Sequence, residues 1–335
     1  MTSSPLRWGL LGTGWIAGKF AKAVLETTTG VLAAAGSRSL ETATAFAAKF
    51  EIPRAHGSYS ALLADPEVDA IYISTPHSMH AEWTIAAARA GKHILCEKPI
   101  AMNAVEAEQM AAEAAKAGVF LMEAFMYRCH PFAATAVEII RSGQLGEVAL
   151  IESCFGHQLP FNPESRLFNR KLGGGAILDL GCYPASISRL LAGAASGKPF
   201  AEPVELTGVA RLSPVTGVDV AAAAAVKFEN GILGTWSCAM EMDTDSFVRV
   251  NGTLGSLKIP RPWHGAVGIE LSMNGQPPAT LDVRCERSVY ALEADAVADA
   301  IRDGKRESPF MTVADSIGNM RALDRWLAAV GASYD

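Results

Sequence analysis

The chain has 335 residues, half of them hydrophobic and 19% charged, with 29 Lys and Arg against 35 Asp and Glu for a net charge of −6. At roughly 100–200 residues per domain this length predicts two domains, and the composition suits buried cores rather than a disordered chain. The mildly acidic balance argues against bulk binding to nucleic acid or an anionic membrane, and the longest apolar runs fall far short of the ~20 residues that span a bilayer.

Residues 1–125 alternate short apolar runs with Ala-rich stretches of helical character. Strands are expected at 8–11, 31–35, 70–74, 93–96 and 119–122. Helices are expected at 16–26, 40–50, 80–90 and 104–117, with Gly30, Gly91 and Gly118 as C-terminal stops. This alternation implies a parallel sheet with right-handed crossovers, covered on both faces. After Pro131 the pattern changes. A helix at 132–141 and a strand at 147–153 precede a loop rich in Asn, Pro and Arg, and a further helix includes 186–191. From 204 to 283, short strands are broken by Pro-Val-Thr-Gly, Glu-Asn-Gly and two Asn-Gly turns, the spacing of an antiparallel or mixed sheet. Helices at 290–301 and 313–329 close the chain. The inference is a dinucleotide-type domain, residues 1–125, followed by an α+β domain, residues 126–335, whose C-terminal helix packs back on the first.

The N-terminal residues lead directly into a strand without the apolar core of a signal peptide. Six scattered cysteines show neither C-x-x-C pairs nor zinc spacing, which reads as buried free thiols in a reducing cytoplasm. The seven histidines show no metal-ligand spacing either, so no metal is expected.

Gly12-Thr13-Gly14-Trp15-Ile16-Ala17 follows an expected strand and opens an expected helix. Gly12 permits the tight turn, Gly14 lets a pyrophosphate approach the backbone, and Ala17 lets helix and strand pack closely. The helix start offers free N–H groups and a positive partial charge to phosphate. Where NAD-specific sites place an acid after the second strand, this chain has Ser37-Arg38-Ser39. Ser37 can donate a hydrogen bond, and the Arg38 guanidinium suits a 2′-phosphate, which points to NADP with NAD as the lesser option. The alternative for Arg38 is a solvated loop residue.

Three further motifs occur in order: Thr75-Pro76-His77-Ser78-Met79-His80, Glu97-Lys98-Pro99, and Gly173-Gly174-Gly175 running on to Asp179 and Tyr183. The chain thereby resembles the glucose–fructose oxidoreductase/inositol dehydrogenase family, Gfo/Idh/MocA, from about Leu6 to Ala329. The resemblance implies an α/β protein with an N-terminal Rossmann domain and a C-terminal α+β domain carrying an open, mostly antiparallel mixed sheet. It also implies hydride transfer between a nicotinamide and a sugar, polyol or diol. His77 stands where many members have Asn, and Tyr183 where many have His. Tyrosine there resembles the branch with dimeric dihydrodiol dehydrogenases and NADP-dependent xylose dehydrogenases.

On this resemblance Lys98, Asp179 and Tyr183 are the expected catalytic residues. An unperturbed tyrosine, with pKa ~10, is too weakly acidic for efficient proton transfer near neutrality. Lys98 is therefore assigned to favour the phenolate, and Asp179 to orient a substrate hydroxyl or bond the lysine. Pro184 means that the helix either begins near Tyr183 or is kinked there. Thr75, Pro76, His77, His80, Glu97, Lys98 and Arg166 join Gly12–Ile16, Ser37 and Arg38 as expected cofactor contacts. Arg128 and Asn169 join Lys98, Asp179 and Tyr183 as expected substrate contacts. The bland readings are a surface ion pair for Glu97 and Lys98, a helix cap for Asp179 or His80, and a packed ring for Tyr183.

The expected reaction is oxidation of an aldose at its anomeric carbon. Alternatives are a trans-dihydrodiol dehydrogenase, a reductase of a dicarbonyl or anhydro-sugar, and a non-catalytic NADPH-sensing regulator. A homodimer or larger even assembly is expected through an apolar sheet face around 218–226 and 233–236.

Overall fold

A computed structural model describes residues 4–334; the other ends of both expected domains, 1–3 and 335, lie outside the described residues. Its described residues divide into two units. Unit 1 runs to Cys129 and includes Arg287–Ile317, whereas unit 2 comprises His130–Glu286 and the residues from Gly318 onward. The chain thus enters each unit twice, where a single cut at 125/126 was expected.

Unit 1 holds strands β1 (Leu6–Leu11), β2 (Gly30–Gly36), β3 (Arg54–His56), β4 (Ala70–Ile73), β5 (His93–Glu97) and β6 (Leu121–Ala124). They form one parallel sheet in the order β3-β2-β1-β4-β5-β6. This is the dinucleotide-binding order, with its switch point between β1 and β4. Helices α1 (Trp15–Leu25), α2 (Leu40–Lys49), α3 (Tyr59–Leu63), α4 (His80–Arg89) and α5 (Ala104–Ala117) form the crossovers. β4, β6 and nearly all of β1 and β5 are buried, as continuous apolar strands should be in a sheet covered twice. Side-chain caps from Ser39, Ser58 and Asn103 start α2, α3 and α5.

Gly91 and Gly118 end α4 and α5 in the left-handed region, as expected. Gly30 does not end a helix. It opens β2, where a Cβ would lie 2.7 Å from Trp8 Nε1, so the need there is for space. The pair β3 and α3 was not foreseen. It is tied down by Asp65, whose carboxylate accepts from Arg54 Nε at 2.8 Å and lies 2.9 Å from His56 Nε2.

Unit 2 begins with α6 (Pro131–Arg141) and β7 (Val148–Gly156), and α7 (Cys182–Ala194) follows a π-helical turn at Ile177–Gly181. Strands β8 (Pro203–Leu212), β9 (Asp219–Phe228), β10 (Leu233–Ala239), β11 (Phe247–Gly252), β12 (Gly255–Pro260), β13 (Gly268–Met273) and β14 (Ala279–Asp282) complete its sheet. The order is β14-β13-β12-β11-β7-β10-β9-β8, antiparallel except for the β7–β10 pair. The α8 helix (Val289–Arg302) belongs to unit 1; α9 (Val313–Ala329) starts in unit 1 and continues in unit 2.

Alternation along β9 and β10 sets the two faces of this sheet. Ala222, Ala224, Val226 and Trp236 are buried, with Trp236 5.6 Å from Trp326 by ring centroids, while Ala223 and Ala225 are exposed. Only alternate residues of the runs 218–226 and 233–236 therefore lie on the outer face, because a strand sends alternate side chains to opposite sides. Among the described residues no helix is long and apolar enough to cross a membrane.

Candidate active site

In unit 1 the turn after β1 meets the turn after β4. Gly12 has φ +106°, and a Cβ there would lie 2.9 Å from Ser74 Oγ and 3.1 Å from its carbonyl oxygen. Gly14 is the N-cap of α1, with no side-chain cap and open space where a Cβ would stand. The first amides of α1, from Trp15 and Ile16 onward, thus begin a helix whose N-terminus favours phosphate. Ala17 is fully buried against the sheet, as the motif requires. Thr13 Oγ1 lies 3.5 Å from Ser37 Oγ at the end of β2, where Ser37 is buried and Arg38 exposed. Thr75 Oγ1 is buried and has no hydrogen-bond partner among the described residues. An orphan hydroxyl, an uncapped helix start and a glycine with free space above it fit a bound dinucleotide.

The segment carrying Lys98 is fixed by hydrogen bonds at successive peptides. Glu97 Oε2 accepts the Lys98 N–H at 3.2 Å, while Tyr72 Oη donates to Glu97 Oε1. The Lys98–Pro99 bond is cis. Beyond it, Pro99 O faces His80 Nδ1 at 2.9 Å, and the Ile100 N–H donates to Glu123 Oε1 at 2.9 Å. The other His80 nitrogen faces Thr75 O at 3.0 Å, so His80 ties the two loops together. Burial pushes the Glu123 carboxyl up to about 8, against the lowering effect of the bond from the Ile100 N–H. His77 is buried in a short 3₁₀ turn, with its ring edge-on to His80.

Three of the expected contacts have partners within unit 1. Both His80 ring nitrogens face backbone carbonyls, and Glu97 is committed to Tyr72 and the Lys98 peptide; each positions a loop. Arg128, expected at the substrate, is buried: its Nε donates to Tyr127 Oη at 2.9 Å, and its Nη2 lies 3.1 Å from Asp315. The 3₁₀ turn Met126–Cys129 buries this side chain, and a buried charge must be paired.

In unit 2 the triple glycine has packing causes. Gly173 ends a short turn in the left-handed region; at Gly174 a Cβ would lie 2.7 Å from Leu167 O. Asn169 caps that turn through the Lys171 N–H. Asp179 lies in the π turn, nearly buried, 3.0 Å from Arg166 Nη1. This pairing was not expected, although both residues were candidates. Tyr183 lies in the first turn of α7, 5% exposed. Pro184 follows it without ending the helix. The first turn of a helix tolerates a missing N–H, and the wider π turn before it moves the carbonyls that the ring would strike.

Sequence reasoning missed the aromatic wall beside Tyr183. Phe155 of β7 and Trp263 pack on its ring with centroids 5.2 and 5.4 Å away, and His157 and His264 flank Phe155. The aromatic character of these positions was visible, but only the packing of α7 and the 262–264 turn against β7 brings them together. Among the described residues no group of three His, Cys, Asp or Glu could hold a metal ion.

Comparison with known proteins agrees with this geometry. Residues 6–125 match the Gfo/Idh/MocA profile described as an oxidoreductase family with an NAD-binding Rossmann fold, and residues 133–258 match that family's C-terminal domain. The chain is similar to trans-1,2-dihydrobenzene-1,2-diol dehydrogenase of Mus musculus, 32% identical over 98% of both chains. It is also 32% identical to D-xylose 1-dehydrogenase (NADP(+)) 2 of Haloferax volcanii, over 95% of each. The 3-ketoreductase of Actinomadura kijaniata, solved with NADP and TDP-benzene, superposes with a TM-score of 0.87 at 26% identity, covering 97% of this chain and 98% of that one. With the phosphate-binding turn, the braced lysine segment and the helix of Asp179 and Tyr183 all present, the chain belongs to the Gfo/Idh/MocA family of oxidoreductases.

Proposed function

We propose that this oxidoreductase uses NADP(H) and acts on a monosaccharide, oxidising an aldose at C1. The observation that carries the proton-transfer part is Tyr183, a nearly buried phenol beside an aromatic wall, with Asp179 on the preceding turn paired to Arg166. The cofactor supplies hydride acceptance and donation when bound. Tyr183 takes the proton from the substrate hydroxyl as the hydride departs, and returns it in the reverse direction. Lys98 contributes the positive charge that favours the phenolate, and Asp179 orients the substrate hydroxyl.

Gly12 to Ile16 hold the pyrophosphate, Ser37 and Arg38 take the 2′-phosphate, and Thr75 to His77 lie along the dinucleotide. Support for NADP comes from an exposed Arg38 and the absence of an acid in Ser37-Arg38-Ser39. The xylose dehydrogenase relative is named for NADP(+), and the ketoreductase was solved with NADP bound. Phe155 and Trp263 favour a substrate with an apolar ring face, which also suits a cyclic trans-dihydrodiol, the substrate class named for the mouse relative. NADP⁺ reduction measured across aldoses, polyols and trans-dihydrodiols tests the reading: turnover on an aldose supports it, and turnover on dihydrodiols alone replaces it with the second.

The reading also assigns a cytoplasmic homodimer. Six free cysteines suit a reducing compartment. The outer face of the unit 2 sheet carries exposed Val209, Ala223, Ala225 and Leu233, a surface of small and apolar side chains suited to a second copy.

A further inference from the structure

Asp219, the first residue of β9, is fully buried, and its carboxylate is directed at the start of the π turn. Oδ2 accepts the Ile177 N–H at 2.6 Å. This is among the first amides of a helix whose own N-cap residue, Ala176, supplies no side-chain acceptor. Asp219 therefore caps the helix from a neighbouring strand, satisfying a donor that burial would otherwise leave unpaired.

Oδ1 accepts the hydroxyl of Tyr334, beyond α9, at 3.0 Å. The two side chains also explain Gly175. That residue sits at φ +125°, and a Cβ there would collide with Tyr334 Oη and Asp219 Oδ1. Gly175, Asp219 and Tyr334 thus form one close-packed latch at the entrance to the segment that carries Asp179 and Tyr183.

We propose that Asp219 and Tyr334 are positioning residues for the reaction, fixing the π turn so that Asp179 and Tyr183 are held in their reactive places. This rests on the roles given to Asp179 and Tyr183 above. Neither latch residue touches the reacting groups. They act by holding the Ile177 amide, and with it the turn on which Asp179 sits. The titratable groups facing Asp219 are Tyr334 and Cys238 of β10; Arg170 acts on Tyr334, and Cys182 of α7 acts on Cys238. Burial raises the Asp219 carboxyl to about 6 despite the bonds it accepts, so it takes up a proton in mildly acid solution.

The test uses the full chain with Asp219→Asn, the milder Tyr334→Phe, and Tyr183→Phe alongside. Hydrogen exchange at Ile177 should accelerate about tenfold in both latch variants, the equivalent of one lost hydrogen bond. Their kcat should fall by up to about 100-fold, the cost of misplacing reactive groups by an ångström or so, while NADPH affinity stays at the wild-type value. The wild type should lose kcat below about pH 6, and this loss should be absent from Asp219→Asn. Unchanged amide protection in both latch variants overturns the proposal. So does unchanged kcat in both while Tyr183→Phe is inactive. A fully active Tyr183→Phe instead removes the reading of the site on which the latch depends.

Discussion

Replacing Thr75 with valine should move two measurements in opposite directions. The Thr75 hydroxyl is buried without a partner among the described residues, on a residue only 7% exposed. A hydroxyl buried in this way costs about 1–3 kcal/mol, and valine keeps the shape while removing the polar atom. Thr75 precedes Pro76, a position that favours extended backbone, which a β-branched side chain accepts readily. The ligand-free variant should therefore gain about 1 kcal/mol and melt a few degrees higher, at the ~2–4 °C per kcal/mol usual for 150–250 residues. If the dinucleotide is the partner of that hydroxyl, the variant loses about 1 kcal/mol of binding, so NADPH affinity falls about fivefold to tenfold. Calorimetric melting without cofactor and NADPH fluorescence titration measure the two effects on one sample. A lower ligand-free Tm together with unchanged NADPH affinity would refute the reasoning, since it would mean that the hydroxyl is already satisfied within the protein.

Three further outcomes are expected. Arg38→Ala should weaken NADP(H) by about 10- to 100-fold, the scale of a hydrogen bond to a charged group, and leave NAD(H) affinity unchanged; parallel losses for both cofactors count against a 2′-phosphate contact. Glu123, raised to about 8 by burial, holds its proton in the folded state up to that pH but loses it near 4.5 when unfolded. Its contribution is therefore complete below about pH 4.5 and is lost as pH rises through 8, so Glu123→Gln should gain on the wild type in Tm between pH 5 and 8. A gap independent of pH contradicts this assignment. Ala223→Glu, on the exposed face of β9, should turn a dimeric mass in light scattering into a monomeric one; a wild-type monomer at micromolar concentration removes the dimer from the account.

The parallel sheet was legible because its strands are unbroken apolar runs and its first turn spells Gly-x-Gly-x-x-Ala. The β3–α3 pair was not. Arg54–His56 has no apolar run, and the α3 helix spans only Tyr59–Leu63, so Asp65 and its partners do work that periodicity cannot display. Gly30 was misread because glycine after a helix suggests a stop, whereas the indole of Trp8 is what excludes a Cβ. At the site, Lys98, Asp179 and Tyr183 stood out as motif residues. Their supports did not: Glu123 bonds across the sheet to Ile100, Arg128 finds Asp315, and Asp219 caps a helix from another strand. Each of these pairs is joined only by tertiary packing. The π turn had an indirect trace in Gly175 and Pro184, which bracket the segment where an ordinary helix would not fit.

The central claim is that Tyr183 carries the proton, and Tyr183→Phe tests it with the least disturbance. The substitution removes only the hydroxyl and keeps the ring against Phe155 and Trp263. With a substrate established by the NADP⁺ screen, the account predicts that kcat falls by roughly 100- to 10,000-fold, the range for loss of a general acid–base group. NADPH affinity and Tm should stay close to the wild type. Near-normal turnover by a folded, cofactor-binding Tyr183→Phe would contradict it.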